Sequence, residues 1–119
     1  MQTFDFGDGK GPVPAHQHAN PDGSIGGWVA DTASVAATCY IDPGARVFGK
    51  ARVSENARVS GKAQVYDNAR VYGSARVYGD AHVSGNAWVY GNAWVFGNAR
   101  VFGNARVSRG EVVDREDDR

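Results

Sequence analysis

A single cysteine, Cys39, leaves this 119-residue chain without an intrachain disulfide, so its fold rests on noncovalent contacts, and a reducing compartment suits it. No apolar run is long enough to span a bilayer, and no signal-like stretch opens the sequence, so neither a membrane anchor nor export is expected. Lysine is scarce, at Lys10, Lys50 and Lys62, and the formal net charge is zero. Arg and Tyr alternate along much of the chain and can stack single-stranded nucleic acid, but with so little basic excess such a partner is not expected. The neutrality is uneven. Before residue 27, Lys10 stands against Asp5, Asp8 and Asp22; residues 27–110 hold ten basic and five acidic side chains; residues 111–119 hold two Arg and five acids. A basic body with an acidic end reads as a soluble surface with a solvated tail rather than as a magnet for an anionic partner.

What is abundant is one six-residue phrase. From Ala45 to Gly110 the chain reads ARVFGK, ARVSEN, ARVSGK, AQVYDN, ARVYGS, ARVYGD, AHVSGN, AWVYGN, AWVFGN, ARVFGN and ARVSRG without a gap. Looser copies begin at Gly27, Ala33 and Cys39, which makes fourteen hexads. Position three is Val in every copy but one, where it is Ile41, and position one is Ala except at Gly27 and Cys39. Apolar residues two apart lie on the same side of a strand, and β-branched side chains suit a half-buried pleated surface, so positions one and three face inward. Positions two and four then face outward, with Arg, Trp, Tyr, Phe or Ser. Positions five and six, most often Gly-Asn, turn the chain, because these residue types tolerate positive φ.

A meander of hairpins would leave the Val face with nothing to pack on. A solenoid removes the difficulty. If three hexads close a triangular coil of about eighteen residues, the Val and Ala columns of three faces meet on one axis and backbone groups pair between coils. The fourteen hexads then make about 4.7 coils, roughly 22 Å tall at about 4.8 Å per coil. The predicted fold is all-β, with an irregular N-terminal cap at 1–26, a hexapeptide-repeat helix at 27–110 and an acidic C-terminal tail at 111–119. Pro12, Pro14 and Pro21 among several Gly argue against regular structure over most of the first segment, which is expected to plug the first coil. The acidic tail is too short and charged to cap much, so that end is expected either to fray or to be covered by another chain.

Taking hexads by threes sorts the outward residues. Face one stacks Trp28, Arg46, Gln64, His82 and Arg100 at position two beside Ala30, Phe48, Tyr66, Ser84 and Phe102 at position four. Face two stacks Ser34, Arg52, Arg70, Trp88 and Arg106 beside Ala36, Ser54, Tyr72, Tyr90 and Ser108. Face three stacks Tyr40, Arg58, Arg76 and Trp94 beside Asp42, Ser60, Tyr78 and Phe96. Arg70 then lies under Trp88 and Arg76 under Trp94, one coil apart, within stacking reach of guanidinium and indole. Trp88, Tyr90, Trp94, Phe96 and Phe102 fall in three consecutive hexads and form an aromatic belt. Monomers seldom expose so much apolar surface, and aromatic and Arg residues are the types enriched at interface hot spots, so these residues with Arg70 and Arg76 are the candidate interface.

The repeat resembles the hexapeptide-repeat, left-handed parallel β-helix superfamily, whose phrase is an aliphatic, a small or acidic residue, two variable residues, a small residue and a variable one. Val47-Phe48-Gly49-Lys50-Ala51-Arg52 aligns in that register. Left-handed winding is what the resemblance implies; it runs against the usual preference for right-handed parallel connections. The large aromatic residues after the aliphatic position depart from the pattern. The ARVYGN-like tracts look most like those of uncharacterised bacterial and phage-encoded hexapeptide-repeat proteins, which makes a cytoplasmic or virion-associated location the expectation. Superfamily members usually form trimers packed side by side, so a homotrimer is expected.

Chemistry has less support. Acyltransferases of the superfamily place a catalytic His between subunits and bind substrates on loops that interrupt the coils, and nothing interrupts residues 27–110. His82 is outward without an evident partner in its hexad. Carbonic-anhydrase-like relatives bind Zn²⁺ through three His shared across an interface, and this chain has three, His16, His18 and His82. His16-Gln17-His18 can present two imidazoles on one side of an extended segment, a half-site that His82 would have to complete. Cys39, in an inward Ala place, reads as core filler rather than nucleophile. Outward Thr columns, the mark of ice-binding helices, are absent. The sequence thus favours a structural, self-associating module without catalytic residues, bound metal or cofactor. An acyltransferase-like or carbonic-anhydrase-like enzyme, and a phage virion component or inhibitor of a host protein, are the alternatives.

Overall fold

Most hexads contribute a strand of two residues, positions two and three, as in Arg46–Val47, Arg70–Val71 and Trp88–Val89. The computed structural model of the chain describes residues 2–108 and, beyond them, the backbone of Val112–Val113 and Glu116–Asp118. Through the repeat the strands pair in parallel with partners eighteen residues apart: Ser34 with Arg52, Arg52 with Arg70, Arg70 with Trp88, and Trp88 with Arg106. Three hexads therefore close one coil. Val lies over Val and outward residue over outward residue in three sheets, one of eight strands and two of five. The parallel pairing rules out the hairpin meander, and the described residues contain no helix.

The backbone ladder runs through the corners as well as the strands. Arg52 donates its N–H to the Ala69 carbonyl at 2.9 Å, Ser54 to Val71 at 2.9 Å and Asn56 to Gly73 at 2.9 Å, so positions two, four and six all reach the next coil. Position one closes the corner within the coil, as when the Ala57 N–H donates to the Ser54 carbonyl at 3.4 Å. From Ala45 to Val107 every position-one Ala and position-three Val is at most 1 % exposed. The inward register read from the sequence is the one the structure has. At the first hexad Gly27 replaces Ala because a Cβ there would lie 2.0 Å from the Ala45 carbonyl oxygen. Cys39 is fully buried, its Sγ 3.4 Å from the Glu55 carbonyl, and burial pushes the thiol above its ordinary pKa. Both the place and the protonation are those of a filler.

Turn chemistry is narrower than the sequence implied. Positive φ falls on position five alone, at 58–69° from Gly49 to Gly103, and no Asn at position six adopts it. Position six instead supplies the N–H that reaches the next coil. At Glu55 and Asp67, which stand in the Gly place, the side chain contributes to the ladder. Glu55 (φ 60°) accepts from the Gly73 N–H and Asp67 (φ 58°) from the Gly85 N–H, each at 3.1 Å across one coil. A charge-assisted hydrogen bond offsets a conformation that a side chain with a Cβ disfavours.

The N-terminal segment is more regular than Pro and Gly content implied. It holds β1 (Thr3–Asp5) and β2 (Pro12–Ala19), and β3 (Ile25–Ala30) joins it to the first hexad. These pair antiparallel and add two strands to the end of the face-one sheet. The prolines are tolerated because of where they stand. Pro12 opens β2, and Pro14 lies opposite Asp31, just past the end of β3, while the neighbouring Ala15 N–H completes the ladder to Gln2. Gly7, Gly9, Gly11 and Gly23 take positive φ in the turns. A bulge between Gln17 and Ala19 turns His18 inward, where its Nε2 meets the Cys39 carbonyl at 2.8 Å. The Asn20 amide pairs with both the N–H and the C=O of Ile41, at 2.9 and 3.1 Å. These two side chains stand where a preceding coil would otherwise satisfy the edge of Tyr40–Ile41.

At the other end the ladder continues past the fourteenth hexad. Val112–Val113 pairs with Trp94–Val95 and Glu116–Asp118 with Arg100–Phe102, so strand pairing extends into the stretch set apart above as a tail. Val113 stands at position three of a fifteenth hexad that Glu111 begins in place of Ala. The side chains of 109–119, and with them the expectation of a frayed or covered end, lie outside the described residues.

Replacing Val71 with Asp places an unpaired charge in the narrowest part of the structure and is expected to cost more than about 3 kcal/mol. The same change at exposed Arg70 should cost about 1 kcal/mol, mostly from lost stacking. Thermal melts showing equal damage at the two positions would contradict the inward register.

Candidate functional site

Outward side chains are the only place where this repeat varies widely, and one-coil spacing turns each column into a ladder. Ring stacks run along all three faces: Phe48 on Tyr66 at 4.9 Å and 5°, Tyr72 on Tyr90 at 5.1 Å and 6°, Tyr78 on Phe96 at 5.3 Å and 10°. Beside them run guanidinium contacts. Arg70 lies 5.7 Å and Arg106 4.3 Å from the Trp88 ring, Arg76 lies 6.0 Å from Trp94, and Arg58 5.8 Å from Tyr40.

The aromatic belt runs across the three faces to which its residues sort. Trp88 and Tyr90 lie on face two, Trp94 and Phe96 on face three and Phe102 on face one, because successive hexads always belong to different faces. The belt girdles the prism and no one flat partner covers it. Trp94 is 44 % exposed, while the other four are half-buried among their neighbours.

The N-terminal strands distinguish the faces. Phe4 stacks on Trp28 at 4.9 Å with Arg46 over its ring, and Phe6 stacks on Phe48 at 4.8 Å. Phe6 and Phe48 are 4 % and 5 % exposed, in a second apolar cluster outside the coil with Ala15 and Ala30. Phe48, outward by register, is thus buried by the chain's own N-terminus. Among the described residues no such cover lies over the ladders of faces two and three.

The three histidines do not meet. The His16 Nδ1 lies 2.8 Å from the Asp31 carboxylate at the surface, His18 is committed to the Cys39 carbonyl, and His82 is in the fourth coil on face one. Among the described residues no three His, Cys, Asp or Glu side chains group as metal ligands. His82 is half-buried, its ring edge-on to Tyr66 at 5.9 Å and its Nδ1 3.5 Å from the Tyr66 hydroxyl. Burial, and next the Arg100 guanidinium, hold its pKa below the ordinary value, with Asp80 acting weakly against them. A groove of about 420 Å³ opens here, lined by Tyr66, Asp67, His82, Ser84, Arg100 and Phe102. The arrangement offers a half-buried imidazole and a guanidinium between two aromatic rings. It contains no carboxylate hydrogen-bonded to the imidazole, as a general base with an orienting partner would require.

The carboxylate caps of Glu55 and Asp67, and the inward roles of His18 and Asn20, were not read from the sequence. Acid in a Gly place was a usable sign; the partners of His18 and Asn20 lie twenty-one residues away and carry no local mark.

Because the folded state resists protonating His82, the native chain gains fewer protons than the unfolded chain as pH falls through about 6.5 and loses stability there. Measured at about pH 7.5 and pH 5, the melting temperature of wild type relative to His82→Gln should therefore fall on acidification. A constant or rising difference would contradict the burial assigned to this ring.

Residues 63–79, 75–91, 93–109 and 99–115 match the model of the YdcK beta solenoid repeat. No curated protein and no solved structure matches the chain. The matched segments begin at Ala63 and continue the Ala-Val core that runs from Ala45 to Val107. Fold and comparison agree that the chain is a β-solenoid repeat protein, similar over its C-terminal half to the YdcK beta solenoid repeat.

Proposed function

We propose that the chain is a non-enzymatic interaction module that self-associates through faces two and three, as a homotrimer of solenoids wound left-handed like the hexapeptide-repeat proteins it resembles. The observation that carries this is the unequal cover of the ladders. On face one Phe4 and Phe6 shield Trp28 and Phe48, the first rings of the face, whereas Trp88 with Tyr72 and Tyr90, and Trp94 with Tyr78 and Phe96, have no such shield among the described residues. Stacked rings fixed at the coil spacing are already ordered before any partner arrives, so little side-chain entropy opposes association. Arg70, Arg76 and Arg106, held over the indoles, bring donors to the same surface.

A catalytic role finds less support. The coils run without an interrupting loop from 27 to 108, and the one half-buried imidazole lacks an orienting carboxylate. No metal, cofactor, nucleic acid or membrane enters this reading.

Changing Trp88 and Trp94 to Ser should shift the assembly toward smaller species in analytical ultracentrifugation, each buried Trp contributing about 2 kcal/mol or more to association. Far-ultraviolet dichroism should stay that of the parent, since the lost cation–π contacts cost only about 0.5 to 1 kcal/mol each. An unchanged mass and dissociation constant would refute self-association through these faces.

A further inference from the structure

The ladder on face one has a missing rung. Its position-four column reads Phe48, Tyr66, Ser84, Phe102, and the first two rings lie nearly parallel at 4.9 Å. At Ser84 the column holds a hydroxymethyl group where neighbouring coils hold a ring. The space opposite Ser84 is bounded by Tyr66 one coil below and Phe102 one coil above, and these two line the groove of about 420 Å³. Two one-coil steps separate them, roughly 10 Å at about 4.8 Å per coil, which is the space a single ring needs to stack on both sides at the pitch of the rest of the column.

The other faces supply an internal comparison. Ser54 on face two has Tyr72 above it but Ala36 below, and Ser60 on face three has Tyr78 above but Asp42 below. Each has a ring on one side only within its own column, and the corresponding hollows, which Trp88 and Trp94 of the neighbouring columns also line, hold about 240 and 250 Å³. Only Ser84, of these three, has rings on both sides. Its rim also differs. The Arg100 guanidinium stands on it, and the Asp67 carboxylate, also on the rim, is engaged by the Gly85 N–H. Ser84 supplies a hydroxyl, and His82 forms the side wall with its edge toward Tyr66.

We propose that the gap at Ser84 is a binding site for a planar aromatic or heteroaromatic small molecule bearing a carboxylate, its ring sandwiched between Tyr66 and Phe102 and its anionic edge on Arg100. The flat π-faces select planarity, and the guanidinium selects the acid. The site lies on face one, apart from the ladders assigned to self-association, so either assignment can fail without the other.

Calorimetric titration of the intact assembly with indole-3-carboxylate, and with cyclohexanecarboxylate as a probe of equal charge without a π-face, tests it. Indole-3-carboxylate should bind saturably and more than about tenfold tighter than its saturated counterpart. Ser84→Tyr places in the gap the residue its own column carries at Tyr66, so it should raise the melting temperature while weakening indole-3-carboxylate by more than about tenfold. Phe102→Ser removes one wall and should weaken binding by a similar factor. Arg100→Gln should erase the dependence on salt. Equal binding of the two carboxylates, undiminished binding by Ser84→Tyr, or no saturable binding at millimolar concentration would overturn the proposal. Binding that emerges only in Trp94→Ser would overturn it too, by assigning the gap to the indole of a second copy.

Discussion

Everything in this molecule depends on one backbone register, in which residue i pairs with residue i+18 through strands and corners alike. Because positions two, four and six all donate to the next coil, each coil is fixed to its neighbour on every side, and the position-one N–H is used up in the corner. Two consequences follow. The core shrinks to what two residues per hexad can fill, hence Ala and Val and nothing larger than Ile41 among the fully buried side chains. The outward positions, freed from packing the core, line up one coil apart, so that any repeated ring becomes a stack and any Arg beside a Trp a cation–π pair.

Function, in this account, is a matter of where the ladders are covered, continuous or broken. Phe4 and Phe6 extend the face-one column beyond the first coil and bury Phe48, so the N-terminal segment serves as more than an end plug. Among the described residues nothing comparable covers the rings of faces two and three. The break at Ser84 stands between two rings and beside a half-buried imidazole whose pKa its surroundings lower. None of these features needs a loop, and the repeat supplies none from 27 to 108.

The fold was largely legible because a hexad states its own register: Val at position three and Ala at position one name the inward side in every copy, and sorting by threes puts Arg70 under Trp88. The N-terminal strands were not, since Pro12 and Pro14 look prohibitive until their neighbours are known, and β2 and β3 are joined by antiparallel pairing that no local pattern announces. Spatial grouping was the weakest part. The faces of the five belt aromatics followed from sorting by threes, but the cover that Phe6 gives Phe48 carries no mark in the hexads. Likewise His16 and His18, two apart, are sent to different partners by a bulge that the sequence does not mark. The acid at position five was visible, but its reach to a Gly N–H one coil on required the register to be known first.

Residue-resolved amide hydrogen exchange tests the register most directly, because the corners discriminate between architectures. In a solenoid closed every eighteen residues, the N–H groups of Asn56, Lys62, Asn68, Ser74, Asp80 and Asn86 each donate to a carbonyl in the next coil and should exchange as slowly as those of the strands beside them. Slow strands flanked by fast-exchanging corner amides would instead mark the corners as unpaired turns and contradict the coil-to-coil ladder on which the core, the stacks and the gap at Ser84 all depend.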